Sequence, residues 1–251
     1  MSAAIVIQAR TGSSRLPEKM ILPFIENIGV FEIVVKRIAD RYKNEPVYLA
    51  TTSNINDDVL VGIAQKYGLN VYRGSEDNVL SRFTGISEKH NYDSLIRVCA
   101  DNPFLETEHI GKLIEEGRKN PDVDYISFAF PDGTPTIKSH LGLFTEYVKS
   151  SALKRVEDCT EEKLYLEHVT NYVYSHNDSF SIKLLPLPEN LQSRKDIRLT
   201  LDTKEDFEVH KQIWKETEQS SVIDIDKILN FIDNNSDIAE RMKIQIEENS
   251  K

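Results

Sequence analysis

Short, mostly apolar runs recur along the chain, and between them apolar residues return every three or four positions. Ala3 to Ile7, 47–52 (VYLATT), Ser94 to Ala100 (SLIRVCA) and Asp124 to Phe128 (DYISF) predict strands, the first two buried on both faces. A shorter strand is predicted at Asn70 to Arg73. Val30 to Arg41 spaces Ile33, Val34 and Ile38 as a helix does, and its basic residues gather at the C-terminal end, where they suit the dipole. Asp57 or Asp58 is the expected cap of a helix to about Tyr67, ended by Gly68. Two more helices are predicted, one after the 74–77 turn through about His90 and one from Thr107 to about Lys119. This alternation implies an α/β fold: a doubly wound, mostly parallel sheet with helices on both faces.

Past residue 130 the rhythm breaks. Pro131-Asp132-Gly133-Thr134-Pro135 is a turn cluster, and Thr136 to Phe144 reads as extended. Helices are expected at 146–157 and 161–175, and strands at Phe180 to Leu187 and Ile197 to Leu201. Helices at Lys204 to about Lys215, about 224–233 and 237–248 finish the pattern. At 251 residues the chain fits one large α/β domain, with about 131–194 as an insertion able to carry an acceptor pocket or a subunit contact.

Charge narrows the partners. With 31 Lys and Arg against 41 Asp and Glu, the net charge is −10, which argues against nonspecific nucleic-acid binding. An anionic ligand must then be held by a local cationic pocket. Cys99 and Cys159 make no metal-ligand spacing, and no run approaches the length of a membrane span or a secretory leader. The expectation is a soluble, cytoplasmic protein with no membrane partner.

The candidate chemistry starts where the first strand ends. Gln8, Ala9 and Arg10 lead into Thr11-Gly12-Ser13-Ser14, then Arg15-Leu16-Pro17-Glu18-Lys19. Backbone N–H groups of residues 11–14 can face anionic oxygens, with Gly12 allowing the dihedrals, and Arg10, Arg15 and Lys19 supply countercharge. With one glycine, the segment is neither a Walker A loop nor a dinucleotide turn. An ordinary surface turn is the competing reading. Asp101 and Asp202 each follow a predicted strand, where ligands of open α/β sheets bind. Two carboxylates opposite a triphosphate suggest Mg²⁺. Either Asp could instead cap a helix, and Asp202 before TKEDF fits that role.

IVIQARTGSSRLPEKMILPF resembles the opening signature of the sugar cytidylyltransferases, which include the 3-deoxy-manno-octulosonate and acylneuraminate enzymes. It is most similar to their SpsF-like spore-coat polysaccharide branch. LIRVCADNPFLE and RLTLDTKEDFEV are similar to the family's two metal-ligand segments, with Asp101 and Asp202 at the ligand positions. Glu18 and Ala100 stand where the family usually has glycine. The resemblance implies a Mg²⁺-dependent transfer of CMP from CTP to a small-molecule acceptor, with pyrophosphate released, by a homodimer. It implies nucleotide contacts at Gln8, Ala9, Arg10, Gly12 and Ser13.

ATTSNINDDVL and VYRGSEDNVLSRF also resemble the family, where such segments frame cytosine and ribose. Arg73 and Ser75 can donate to the base and the Ala50 backbone can meet its amine; an exposed turn capped by Asp77 is the alternative. EHVTNYVYSH matches the SpsF-like branch and puts His168 near the acceptor, or beside the core. Lys138 and His140 stand where relatives carry an acidic stretch, which suits an anionic acceptor unless both face solvent. His90, His109, His176 and His210 lack partner spacing and read as surface residues. Two rival functions are a glycosyltransferase, whose Asp-x-Asp is missing at Asp101-Asn102-Pro103, and a non-catalytic nucleotide-binding protein.

Overall fold

A computed structural model describes residues 2–220 and 222–249. Its seven-stranded sheet comprises β1 (Ala3–Gln8), β2 (Val47–Thr52), β3 (Asn70–Gly74), β4 (Ser94–Cys99), β5 (Tyr125–Ala129), β6 (Glu146–Lys149) and β7 (Ile182–Pro186). The spatial order is β3-β2-β1-β4-β6-β5-β7. All pairings are parallel except those of β6, which runs antiparallel to both β4 and β5. The mostly parallel α/β architecture matches the sequence pattern.

Alternation along β1 divides the interior in two. Ile5 and Ile7 face a core shared with α1 (Val30–Arg41), α2 (Asp58–Lys66), α4 (Glu108–Lys119), α8 (Lys204–Glu216), α9 (Ile225–Asp233) and α10 (Ser236–Glu248). Ala4 and Val6 face α3 (Val79–His90), α5 (Ser150–Cys159) and α7 (Asn171–Ser175). With helices packed on both sides, the sheet's ligand-facing edge is left to the loops at the carboxyl ends of β1 and β4.

The region past 130 departs from expectation in four places. Residues 146–149 form β6 rather than the start of a helix, because Glu146 lies opposite Arg97 in the antiparallel register and pairs with it. The helix expected over 161–175 is two short ones, α6 (Lys163–Glu167) and α7, broken where Thr170 turns its hydroxyl inward to Glu146 at 2.9 Å. Segment 136–144 opens with a 3-10 turn at Thr136–Lys138 instead of running extended. Residues 197–201, expected as a strand, are buried but join no sheet among the described residues. Leu199 N–H donates to the His140 carbonyl at 2.8 Å, and Leu201 N–H to the Asp101 carbonyl at 2.9 Å. Gly142 makes this crossing possible: its φ is +65°, and a Cβ there would lie 2.6 Å from the Leu199 carbonyl oxygen. Residues 131–194 contribute two strands of the sheet, β6 and β7.

Candidate functional site

A cleft of about 980 Å³ opens at the carboxyl ends of β1 and β4. The loop after β1 forms one wall, with Gln8, Ala9, Arg10, Gly12, Ser13 and Arg15 all lining it. Lys19 closes the loop and is only 8% exposed. Its Nζ donates to the Leu201 carbonyl at 2.6 Å, to Asp101 Oδ2 at 3.1 Å and to Asp202 Oδ1 at 3.2 Å. Burial works against the charged ammonium, but the two carboxylates outweigh it and the Lys19 pKa is raised. Arg15 meets the same Asp202 oxygen at 2.8 Å and donates to Asn249 Oδ1 at 3.1 Å. Arg10 reaches across the cleft to Glu167 at 3.4 Å and Glu76 at 3.9 Å.

Asp202 is freed for this cluster because it is not the cap of α8. Thr203 is, in a reciprocal capping box with Asp206. Asp206 also grips the fully buried Arg198 guanidinium at 2.6 and 2.8 Å, and Arg198 Nη2 reaches Asp202 Oδ2 at 3.3 Å. Burial raises the Asp202 pKa, yet Lys19, Arg15 and Arg198 together hold it below the ordinary carboxylate value. Asp101 and Asp202 therefore share one ammonium at the mouth of the loop. No group of three or more His, Cys, Asp or Glu able to hold a metal occurs among the described residues. Two hard oxygen donors beside an anion cradle still fit Mg²⁺, which completes its shell with substrate phosphate and water.

The loop's conformation differs from expectation. Thr11 N–H does not face the cleft but donates to Asp57 at 2.8 Å; Asp57 stands at the N-cap of α2, as expected, but its side chain makes no capping hydrogen bond there. Gly12 lies outside the left-handed region; the residue that occupies it is Glu18, at φ +57°. The family's glycine at this position thus corresponds to a real backbone demand, here met by a glutamate.

Several base-side expectations fall elsewhere. Arg73 spends its guanidinium on Thr52 O, Asn54 O and Asp58, at 2.9, 2.6 and 2.5 Å. Ser75 accepts from Asn78 N–H at 3.1 Å, and Asn78, not Asp77, caps α3. The Ala50 carbonyl already accepts from Ala9 N–H and Arg82. None of Ala50, Arg73 and Ser75 lines the cleft, whereas Arg82 and Arg97 do. Arg82 sits three residues after Val79 and four before Ile86 on the buried face of α3, a cation in an apolar stripe that spacing alone could have flagged. Arg97, on a buried strand, is held by Glu146 at 2.6 Å and Gln8 Oε1 at 3.2 Å.

On the opposite wall, Lys138 and His168 line the cleft, with Lys138 Nζ 5.0 Å from the centre of the Tyr174 ring. His140 does not line it. It is buried behind Asp202, where Arg198 donates to its Nδ1. His210, expected at the surface, is fully buried and donates Nε2–H to the Arg198 carbonyl at 3.1 Å. His109 is packed between Phe128 and Phe144. His90 is exposed, and His176 stacks on Tyr172. No helix among the described residues is long and apolar enough to cross a membrane.

The comparisons with known proteins agree with this fold. A protein from Methanocaldococcus jannaschii, uncharacterized protein MJ1063, is 36% identical over 233 residues, covering 93% of this chain and 91% of its own. Spore coat polysaccharide biosynthesis protein SpsF of Bacillus subtilis is 30% identical over 242 residues, covering 93% and 95%. The solved structure of a cytidylyltransferase from Leptospira borgpetersenii superposes with a TM-score of 0.82 at 26% identity, covering 95% of this chain and 97% of that one. The family model described as cytidylyltransferase matches residues 4–238, so a loop, two carboxylates and a cleft first met as isolated motifs belong to a nucleotidyltransferase of the cytidylyltransferase family.

Proposed function

We propose that the protein transfers CMP from CTP to an anionic small-molecule acceptor, a sugar acid or similar, in cell-surface polysaccharide biosynthesis. One observation carries the reading: Lys19, Arg15, Asp101 and Asp202 meet beside the loop after β1. The acceptor oxygen forms a bond to the α-phosphorus as the bond to the bridging oxygen breaks, and pyrophosphate leaves with the electron pair. Arg10, Arg15 and Lys19 line the path of the polyphosphate and stabilise charge as it moves toward the leaving group. Asp101 and Asp202 would hold Mg²⁺, which when bound supplies polarisation of the α-phosphate.

Lys138 and His168, across the cleft, are assigned to the acceptor: Lys138 to its carboxylate or phosphate, His168 to the attacking hydroxyl. The name of the Bacillus subtilis relative supports the polysaccharide setting. A cytoplasmic homodimer using 131–194 goes with the same reading and is checked by light scattering. The direct test is pyrophosphate release from CTP with Mg²⁺ and a panel of acceptors. Release with sugar acids or sugar phosphates, and none without metal, is expected. If no acceptor in a broad panel elicits release, the reading fails.

A further inference from the structure

The last turn of α10 reaches back to the loop after β1. Glu248 and Asn249 both line the cleft, as do Ser13, Ser14 and Arg15. Arg15 and Asn249 are 234 residues apart in the chain, yet Arg15 Nη1 donates to Asn249 Oδ1 at 3.1 Å. Arg15 Nη2 pairs with Asp202 Oδ1 at 2.8 Å. Asn249 is fixed in turn, since its Nδ2 donates to the Gln245 carbonyl at 3.0 Å. The Gln245 side chain accepts from Thr203 Oγ1 at 2.8 Å and donates to Glu248 Oε2 at 3.2 Å. Thr203 directly follows Asp202. A circuit from Arg15 through Asn249, Gln245, Thr203 and Asp202 therefore closes on itself.

We propose that Asn249 is a positioning residue, holding the Arg15 guanidinium ready for the polyphosphate of the nucleotide. This rests on the reading that the loop after β1 takes a polyphosphate. The Arg15 side chain is 52% exposed, so without partners it would sample many rotamers, and ordering it on binding would cost affinity. Its two partners differ in kind. Asp202 opposes the charge of Arg15 and so competes with phosphate for it. Asn249 is neutral: its carbonyl oxygen fixes the guanidinium, leaves the charge undiminished, and leaves the remaining N–H groups of the fork to phosphate oxygens. Asp202 is also assigned to Mg²⁺. A cation there repels Arg15 from that carboxylate, and Asn249 is the partner that stays.

The protein, without added Mg²⁺, is titrated calorimetrically with tripolyphosphate and with CMP, which lacks the β- and γ-phosphates. Asn249→Ala, checked for folding by circular dichroism, should bind tripolyphosphate about fivefold more weakly, the effect of one mobile side chain losing its pre-ordering, with CMP affinity unchanged. In an Arg15→Ala background the same substitution should have no further effect. Unchanged tripolyphosphate affinity overturns the proposal. So does an equal loss for both ligands, which marks a general disturbance of the cleft. An additive loss in the double variant also overturns it, because Asn249 would then act without Arg15. A wild type that binds no tripolyphosphate overturns it together with the reading it rests on. Pyrophosphate release from CTP by the wild type, with normal tripolyphosphate binding by Asn249→Ala, sinks the role of Asn249 alone. Asn249-dependent tripolyphosphate binding in a protein that releases no pyrophosphate from CTP supports that role and counts against the proposed function.

Discussion

Thr11 and Asp57 lie 46 residues apart in the chain and are joined twice: the Thr11 amide donates to Asp57 Oδ1 at 2.8 Å and its hydroxyl at 2.7 Å. The other carboxylate oxygen takes the hydroxyls of Thr51 and Thr52 and the Thr52 amide. One buried side chain therefore ties the loop after β1 to the end of β2. Burial raises the Asp57 pKa, but bonds from Thr52, Thr11 and Thr51 outweigh it and the pKa is lowered.

Asp57→Ala should lose about 3 kcal/mol or more, because several buried donors lose their acceptor together. It should also raise the KM for the nucleotide several-fold by freeing Thr11. Urea unfolding and initial rates measure the two effects. Wild-type stability with wild-type KM would show that these bonds neither hold the fold nor position the loop.

Lys19→Ala and Arg15→Ala are expected to lower kcat by about a hundredfold or more, each removing charge stabilisation from the moving phosphoryl group. Lys19→Ala should also destabilise the apo protein, since Asp101 and Asp202 then face each other without the ammonium between them. Arg15, half exposed and shared with Asn249, should cost little stability. Turnover near the wild-type level in both would remove the loop from the chemistry.

Asp101→Asn and Asp202→Asn should each abolish metal-dependent turnover, because an amide of the same shape is a poor ligand for a hard cation. A Mg²⁺ titration of activity reads this. Retained activity with an unchanged Mg²⁺ midpoint would rule out the paired-carboxylate site.

Glu18→Gly should stabilise the protein by about 1 kcal/mol, because Glu18 is exposed and holds φ +57°, a conformation glycine adopts freely. The midpoint of thermal unfolding should rise by about 2–4 °C. A fall would show that the glutamate side chain contributes more than its backbone costs.

His210 gives a pH dependence of definite sign. Burial lowers its pKa from 6.5 to about 4, against the raising effect of Asp206 and the Arg198 carbonyl. Between those values the unfolded chain takes a proton that the native imidazole refuses. Its contribution to stability is thus full above pH 6.5 and declines by about 3 kcal/mol as pH falls toward 4. Asp202 and Asp206, whose pKa values are lowered, act only below about pH 4. His210→Gln should flatten the slope in chemical unfolding between pH 6.5 and 4. An equal slope in both proteins would show that the acid response lies elsewhere.

The elements of the first 130 residues were legible because each is either a run of apolar residues or a helix with its apolar face spaced by three and four. Helix 30–41 and strand 47–52 end at the residues the pattern indicates. Glu146-Tyr147-Val148-Lys149 was not, since its glutamate looks solvent-bound until Arg97 is known to lie opposite. The same limit governed the site. Lys19, Asp101 and Asp202 were legible by motif, and the structure brings them together. Arg73 and Arg82 occupy one short stretch, and only the place of Arg82 on the apolar face of α3 hinted which of the two would line the cleft. The answer came from Asp58, Thr52 and Asn54, which take up Arg73 and leave Arg82. His140 failed for a related reason: its partner, Arg198, arrives from a segment far along the chain.

The placement of β6 has a consequence for how the chain is made. β4 pairs on one side with β1, which precedes it, but on the other with β6, which leaves the ribosome after β5 and the whole 130–145 crossing. During synthesis β4 must wait with one row of amides and carbonyls unpaired, and with the Arg97 guanidinium lacking Glu146. A nascent chain halted between β5 and β6 would therefore present a raw sheet edge, and chaperone engagement should concentrate at that length and fade once residue 149 has emerged.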